Sequence, residues 1–242
     1  MSVARVTVPE AIHAAALRTL ADALAAALDD PTVRLVVLAG NGEVFCRGLD
    51  LEALDEEADP GLALALFADC LQALSLACKP TLALVGGPAL GGGVGLAAAC
   101  DVVVADEKAS FALPELLLCL TPATILPVLR QRMTAQQVRL CALQGTAFDA
   151  PAAQRVGLVD EVVRAGETEA ATRRWAQALG RAQPRVLAQF KRLLAEEGGG
   201  LESAIRRGQA LTTAALADEA VRGPLRAFRE NGTPPWEREE GP

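Results

Sequence analysis

One acid and one run of glycines carry the chemistry that can be read from this chain. Residues 81–115 read TLALVGGPALGGGVGLAAACDVVVADEKASFALPE and end on Glu115, a carboxylic acid set in an apolar Leu-Pro-Glu-Leu-Leu context. Ahead of it, Gly86, Gly87, Gly91, Gly92 and Gly93 make a tight turn between an apolar strand and an apolar helix. Such a turn presents bare backbone N–H groups at a helix N-terminus, where a developing negative charge can be held. The same glycines also suit a helix packed closely on a strand with no ligand involved. They are not a phosphate-binding P-loop, because no Lys-Ser/Thr follows, and the GxGxxG spacing of a dinucleotide site is not met.

Other chemistries find less material. Six cysteines at 46, 70, 78, 100, 119 and 141 form no CxxC pair, and His13 is the only histidine. A zinc site would need sulfur ligands gathered from distant places. The cysteines read instead as reduced, small apolar residues, and a Ser-His-Asp or Cys-His mechanism has little support. The acidic stretch 52–59 reads as a solvated, mobile loop without the Gly-centred spacing of a calcium loop.

The elements that must position these groups alternate between strand-like and helix-like patterns, the mark of an α/β fold. Residues 3–8, 35–38, 82–85, 101–105 and 158–163 read as strands. Pro9 opens a helix in which Ile12, Ala15, Ala16, Leu20, Leu24 and Leu28 recur at helical spacing. Further helices are expected over 62–77, 94–100, through Leu126, Leu129 and Met133, from Ala135 behind a Thr134 cap, and over 150–156. Residues 44–50, VFCRGLD, form a second short segment after a turn at 40–42, and 145–149 form a loop. From 167 to 229 the pattern is helical, broken at Pro184 and at 198–200, and a Pro-rich charged tail at 233–242 lies on the surface. The chain of 242 residues is 51% hydrophobic, enough for one well-buried domain. A formal net charge of −7 argues against nucleic acid as a partner. No apolar run is long enough to span a bilayer and the N-terminus lacks a secretion signal, so a cytoplasmic protein is expected.

With these motifs in order, ALGGGVGLAAACDVVVADEKASFALPELLL, preceded by VFCRGLD and followed by GTAFDAPAAQRVGLVDEVV, the chain resembles the crotonase (enoyl-CoA hydratase/isomerase) superfamily. Within it, SFALPELLLCLTPATILPVLRQRM and the GTPPWE ending resemble the PksH-type dehydratases of polyketide β-branching cassettes, whose pattern is SFSLSELLxGLxPAxVLPFLIRR. The resemblance implies a spiral of ββα units over residues 1–163, a first hairpin trimmed relative to most members, and a helical C-terminal trimerisation region over 164–242. It implies an acyl-thioester substrate carried on the phosphopantetheine of an acyl carrier protein or on CoA, no further cofactor and no metal. It also implies a homotrimer, with pairing into a hexamer left open. The reaction implied is loss of water from 3-hydroxy-3-methylglutaryl on the carrier, giving 3-methylglutaconyl.

Carried over residue by residue, the resemblance places two oxyanion-hole N–H groups on Leu49 and Gly92 and the catalytic acid/base on Glu115. It surrounds them with a pocket of Cys46, Asp50, Gly91, Gly95, Cys119 and Pro122. Asp50 is expected to brace the oxyanion loop through backbone bonds. Leu113, Leu116 and Leu117 are expected to raise the pKa of Glu115 by desolvation. The hydratases of this family carry two glutamates; here the first position is Gly95, leaving room for a substrate bulkier at Cβ. Arg47, Arg130 and Arg132 are candidates for a distal substrate carboxylate, and Arg130, Arg132, Lys191 and Arg192 for docking the carrier. The alternatives are an acyl-CoA hydratase or isomerase working with one glutamate, and a trimeric scaffold that has lost its chemistry.

Overall fold

The computed structural model describes residues 2–56, 60–197 and 200–232. Its main layer is a five-stranded sheet of order β1-β2-β3-β5-β8, parallel throughout. The strands are β1 (Ser2–Thr7), β2 (Val33–Ala39), β3 (Thr81–Val85), β5 (Val102–Asp106) and β8 (Glu161–Val163). Every residue of β3 and β5 is buried, as expected of parallel strands covered on both faces. A smaller sheet pairs β4 (Ala89–Leu90) parallel with β6 (Ser110–Ala112) and β6 antiparallel with β7 (Phe148–Asp149). The chain thus sends β3 into the large sheet and β4 into the small one, then forms α4 (Gly92–Ala98), and repeats the pattern with β5 and β6. This is the ββα spiral.

Helices cover both faces. On one, α1 (Ala14–Asp29) and α3 (Pro60–Ser75) join α4 in the larger core, which contains Leu17, Leu24, Phe67 and Leu71. On the other, α8 (Thr168–Leu179) lays Ala171 and Ala176 against Leu35, Val37, Leu82 and Val104. Between them run α2 (Leu51–Glu56), a 3-10 turn (Glu115–Leu118), α5 (Leu126–Arg132), α6 (Ala135–Gln144) and α7 (Ala150–Arg155). Thr134 and Gln137 form a reciprocal capping box at the start of α6. The chain ends in α9 (Pro184–Glu197), α10 (Leu201–Ala217) and α11 (Glu219–Asn231). Among the described residues no helix is long and apolar enough to cross a membrane.

Several local expectations are corrected. Pro9 does not open α1: residues before it stay extended because Ile12 bridges to Leu49, and His13 caps the helix by accepting from Ala16 N–H at 3.4 Å. Of the acidic stretch 52–59, residues 52–56 lie in the helix α2 rather than a loop, because Asp50 caps its N-terminus; 57–59 lie outside the described residues. Residues 44–50 form no regular strand: they meet β4 through the isolated bridge Cys46–Ala89 and the segment before α1 through the bridge Ile12–Leu49. In the expected loop 145–149, Phe148 and Asp149 pair with β6 and Phe148 stacks on Phe111, ring centroids 6.0 Å apart. Helix α10 ends at Asp218, which caps α11 through a 2.9 Å bond from Ala220 N–H. The tail 233–242, including most of GTPPWE, lies outside the described residues.

Candidate active site

Leu49 is presented by a segment threaded between two others. Ile12 N–H donates to Gly48 C=O at 2.8 Å and Asp50 N–H donates to Ile12 C=O at 2.9 Å. In a parallel bridge these bonds use the residues on either side of Leu49, so the N–H of Leu49 itself faces away from Ile12. On the opposite flank, Leu90 N–H donates to Cys46 C=O at 2.8 Å, seating the same segment against the turn into α4. Gly48 has a left-handed φ of +84°, and a Cβ there would stand 2.9 Å from Leu90 O and 3.4 Å from Gly92 N. Only glycine lets the two stretches meet this closely. Gly92 is the first residue of α4, so its N–H has no acceptor within the helix. The start of α4 adds the positive end of a short helix dipole.

Glu115 opens the 3-10 turn that follows β6. Its carboxylate reaches over Gly91: a Cβ added to that glycine would lie 3.0 Å from Glu115 Oε1. Oε2 is buried without a hydrogen-bond partner among the described residues. Loss of water contact pushes its pKa from 4.5 up to about 7, against a smaller lowering by its own backbone N–H. A carboxyl poised there can take a proton and return it near neutral pH.

Leu49, Gly92, Glu115 and Pro122 line one cavity. Its remaining wall is largely apolar, from Leu64 and Phe67 on α3 and Leu120, Ala123 and Ile125 before α5, with Thr121, Thr124 and Thr212 as hydroxyl groups. Thr124, Thr212, Phe67 and Ile125 were not singled out in the sequence. In that stretch Pro122 alone was expected in the pocket, from the resemblance.

The other residues expected in the pocket are not among those that line it. Asp50 Oδ1 accepts from Glu52 and Ala53 N–H, both at 3.0 Å, so its carboxylate caps α2 and fixes the loop bearing Leu49. Cys46 is fully buried under the glycine turn, and burial pushes its thiol to about 11. Cys119 closes the 3-10 turn in a left-handed conformation, φ 56°, with its N–H donated to Glu115 C=O. Gly91 lies beneath the Glu115 carboxylate. At Gly95 no vacancy exists: a Cβ would collide with Ile125 Cγ2 and come within 3.5 Å of Phe67 Cζ. The space of a missing acid is filled by hydrocarbon, not left to the substrate.

The cationic candidates are also elsewhere. Arg47 pairs with Glu10 at 2.9 Å, Arg130 donates to Met133 C=O, and Arg132 binds Asp160 and the carbonyls of Leu158 and Cys100. None lines the cavity. Lys191 is buried and pairs with Asp101 at 2.7 Å. Arg130, Arg132 and Lys191 border a cleft with Ala98, Ala99 and Cys100, beyond the C-terminal end of α4. A helix of this length puts that cleft roughly 10 Å from the amide of Gly92.

The family profile described as Enoyl-CoA hydratase/isomerase matches residues 1–239. The chain is 32% identical over 222 residues to the carnitinyl-CoA dehydratase of Proteus mirabilis (strain HI4320), covering 86% of this chain and 83% of that one. It is 30% identical over 215 residues to the bacillaene synthase dehydratase PksH of Bacillus subtilis (strain 168), covering 85% and 80%. The crystal structure of an enoyl-CoA hydratase from Mycobacterium avium matches with a TM-score of 0.82 at 30% identity, over 97% of this chain and 93% of that chain.

Proposed function

The chain belongs to the enoyl-CoA hydratase/isomerase family and is a hydro-lyase, and from that premise we propose that it dehydrates a 3-hydroxyacyl thioester with Glu115 as its one acid/base. The thioester oxygen docks on the N–H groups of Leu49 and Gly92. Ionised Glu115 takes a proton from Cα, and the electron pair moves to the thioester oxygen as an enolate. Two preorganised donors stabilise that charge by about 3–4 kcal/mol each. As the carbonyl re-forms, the Cα–Cβ double bond forms and the Cβ–O bond breaks. The leaving hydroxide takes the proton back from Glu115, so one water departs and the carboxylate returns to its starting state.

The observation that carries this reading is a buried carboxyl, one oxygen of which has no hydrogen-bond partner among the described residues, lining one pocket with the two glycine-turn and loop residues whose amides would hold the oxyanion. For the substrate we propose 3-hydroxy-3-methylglutaryl on an acyl carrier protein. Similarity to a dehydratase named for bacillaene synthase supports it. A second reading, an acyl-CoA substrate without a distal charge, is favoured by the cavity wall, to which no Lys or Arg contributes among the described residues. Offering the same 3-hydroxyacyl groups on CoA and on a carrier protein, and weighing the products for the loss of one water, separates the two. Water lost from neither would reject the function. The homotrimer belongs to the proposal too. Val186, Phe190 and Leu193 recur at helical spacing along the exposed side of α9 and supply an apolar face for it.

A further inference from the structure

The cavity holds a polar device at its wall that Glu115 chemistry does not use. Thr124, just before α5, and Thr212, on α10, are both nearly fully buried, and their hydroxyl oxygens lie 3.1 Å apart. Thr212 also donates to Gly208 C=O, one turn back, at 3.1 Å. A carbonyl can only accept, so this bond takes the single hydroxyl hydrogen of Thr212. The contact between the two threonines is then satisfied only with Thr124 as donor and Thr212 as acceptor. Both hydroxyl hydrogens are spent inside the protein, and Thr124 Oγ1 keeps its acceptor lone pairs.

The approach is built into α10. At Gly208 a Cβ would collide with Ala123 C=O, so glycine there lets the helix sit directly on the 123–124 backbone and brings Thr212 to Thr124. A valine pair would fill the same space without any polar group. Burying two hydroxyls in an apolar wall costs free energy unless they are bonded, and here the bonding leaves one orientation, that of an acceptor.

We propose that Thr124, oriented by Thr212, accepts a hydrogen bond from the β-hydroxyl of the substrate and from the water it becomes. It thereby selects hydroxylated over deoxygenated acyl groups at a wall where Ile125 fills the place of a second acid. The inference rests on the reading of the cavity as a 3-hydroxyacyl site and adds the group that recognises the departing oxygen. It also excludes an anion at this point, since no hydroxyl hydrogen is available to meet one.

Binding of inert amide analogues tests this apart from turnover. The nitrogen-for-sulfur analogues of 3-hydroxybutyryl-pantetheine and butyryl-pantetheine are titrated by calorimetry into the full-length protein and its Thr124→Val, Thr124→Ser and Thr212→Val variants. One neutral hydrogen bond corresponds to about a 3- to 10-fold preference for the hydroxylated analogue. The wild type and Thr124→Ser are expected to show it and Thr124→Val to lose it. Thr212→Val, which removes the group that orients Thr124, is expected to weaken it. Equal affinity of the wild type for both analogues, binding of neither, or a preference retained in Thr124→Val overturns the proposal. If the preference behaves as expected while no thioester loses water, the acceptor site stands and the assignment of dehydration falls. Melting temperatures of the variants establish that they fold.

Discussion

Replacing Glu115 by Gln should make the stability of the protein respond differently to pH. The carboxyl titrates at about 7 in place, against 4.5 for a free glutamate, because burial penalises its ionised form. For an acid whose folded-state pKa is raised, the native chain holds the proton more tightly than the unfolded chain between those two values. Stability therefore falls as pH rises from about 4.5 to about 7 and stays lowered above it. At 1.36 kcal/mol per pH unit, the gap amounts to about 3 kcal/mol. Glutamine has the same shape and no charge to desolvate, so the variant escapes this loss. Its buried amide carries a fixed cost that cancels when one variant is compared with itself across pH. Urea unfolding of both proteins at one concentration, from about pH 5 to about pH 8, should show the stability difference moving by about 2.5 kcal/mol in favour of Gln, the rest of the gap lying below pH 5. Parallel profiles, with a difference constant to about 0.5 kcal/mol, would refute the burial argument for Glu115.

Other consequences follow from the same geometry. Because the base must be ionised to take the Cα proton, kcat/KM for dehydration should rise through about pH 7 and then level off; a profile flat across that range contradicts a base of this pKa. Gly95→Glu should destabilise the fold by about 2 kcal/mol or more through collision with Ile125, and Ile125→Ala in the same chain should relieve much of it, as read by thermal unfolding. Cys119→Gly should raise stability by about 1 kcal/mol, since the left-handed turn it closes penalises a side chain; an unchanged or lower melting temperature would mean the thiol contributes packing that outweighs the strain. Phe190→Asp should shift the particle mass to that of a single chain in light scattering if α9 carries the subunit contact, and an unaltered mass would place that contact elsewhere.

The strands of the sheet were legible because parallel strands buried on both faces read as unbroken apolar runs, as in 82–85 and 101–105, found as Thr81–Val85 and Val102–Asp106. Leu49, Gly92 and Glu115 were located by resemblance; all three line one pocket, and the backbone bonding around Ile12 turns the Leu49 N–H away from that strand. Side chains were the weaker inference. Asp50 braces the loop bearing Leu49 as expected, but it, Cys46 and Cys119 do not line the pocket: they sit beside site residues in sequence, and a strand or turn sends neighbours to opposite sides. Gly95 misled in another way: a missing side chain does not leave a hole when a residue thirty positions on, Ile125, packs into it. Thr212 was invisible for the same reason of distance, since nothing local says that α10 roofs a cavity whose floor is the glycine turn. The arginines were judged by charge alone, and the partners that occupy them, Glu10, Asp160 and backbone carbonyls, come from far along the sequence.

The central claim is that one carboxyl and two backbone amides remove water from a thioester. Its most direct test is a product assay by mass on a 3-hydroxyacyl thioester, wild type beside Glu115→Gln. The account predicts loss of one water with the wild type and none above background with the variant, at equal oligomeric mass and an intact circular dichroism spectrum. Undiminished loss of water in Glu115→Gln would contradict it, and the acid would have to be sought elsewhere in the chain.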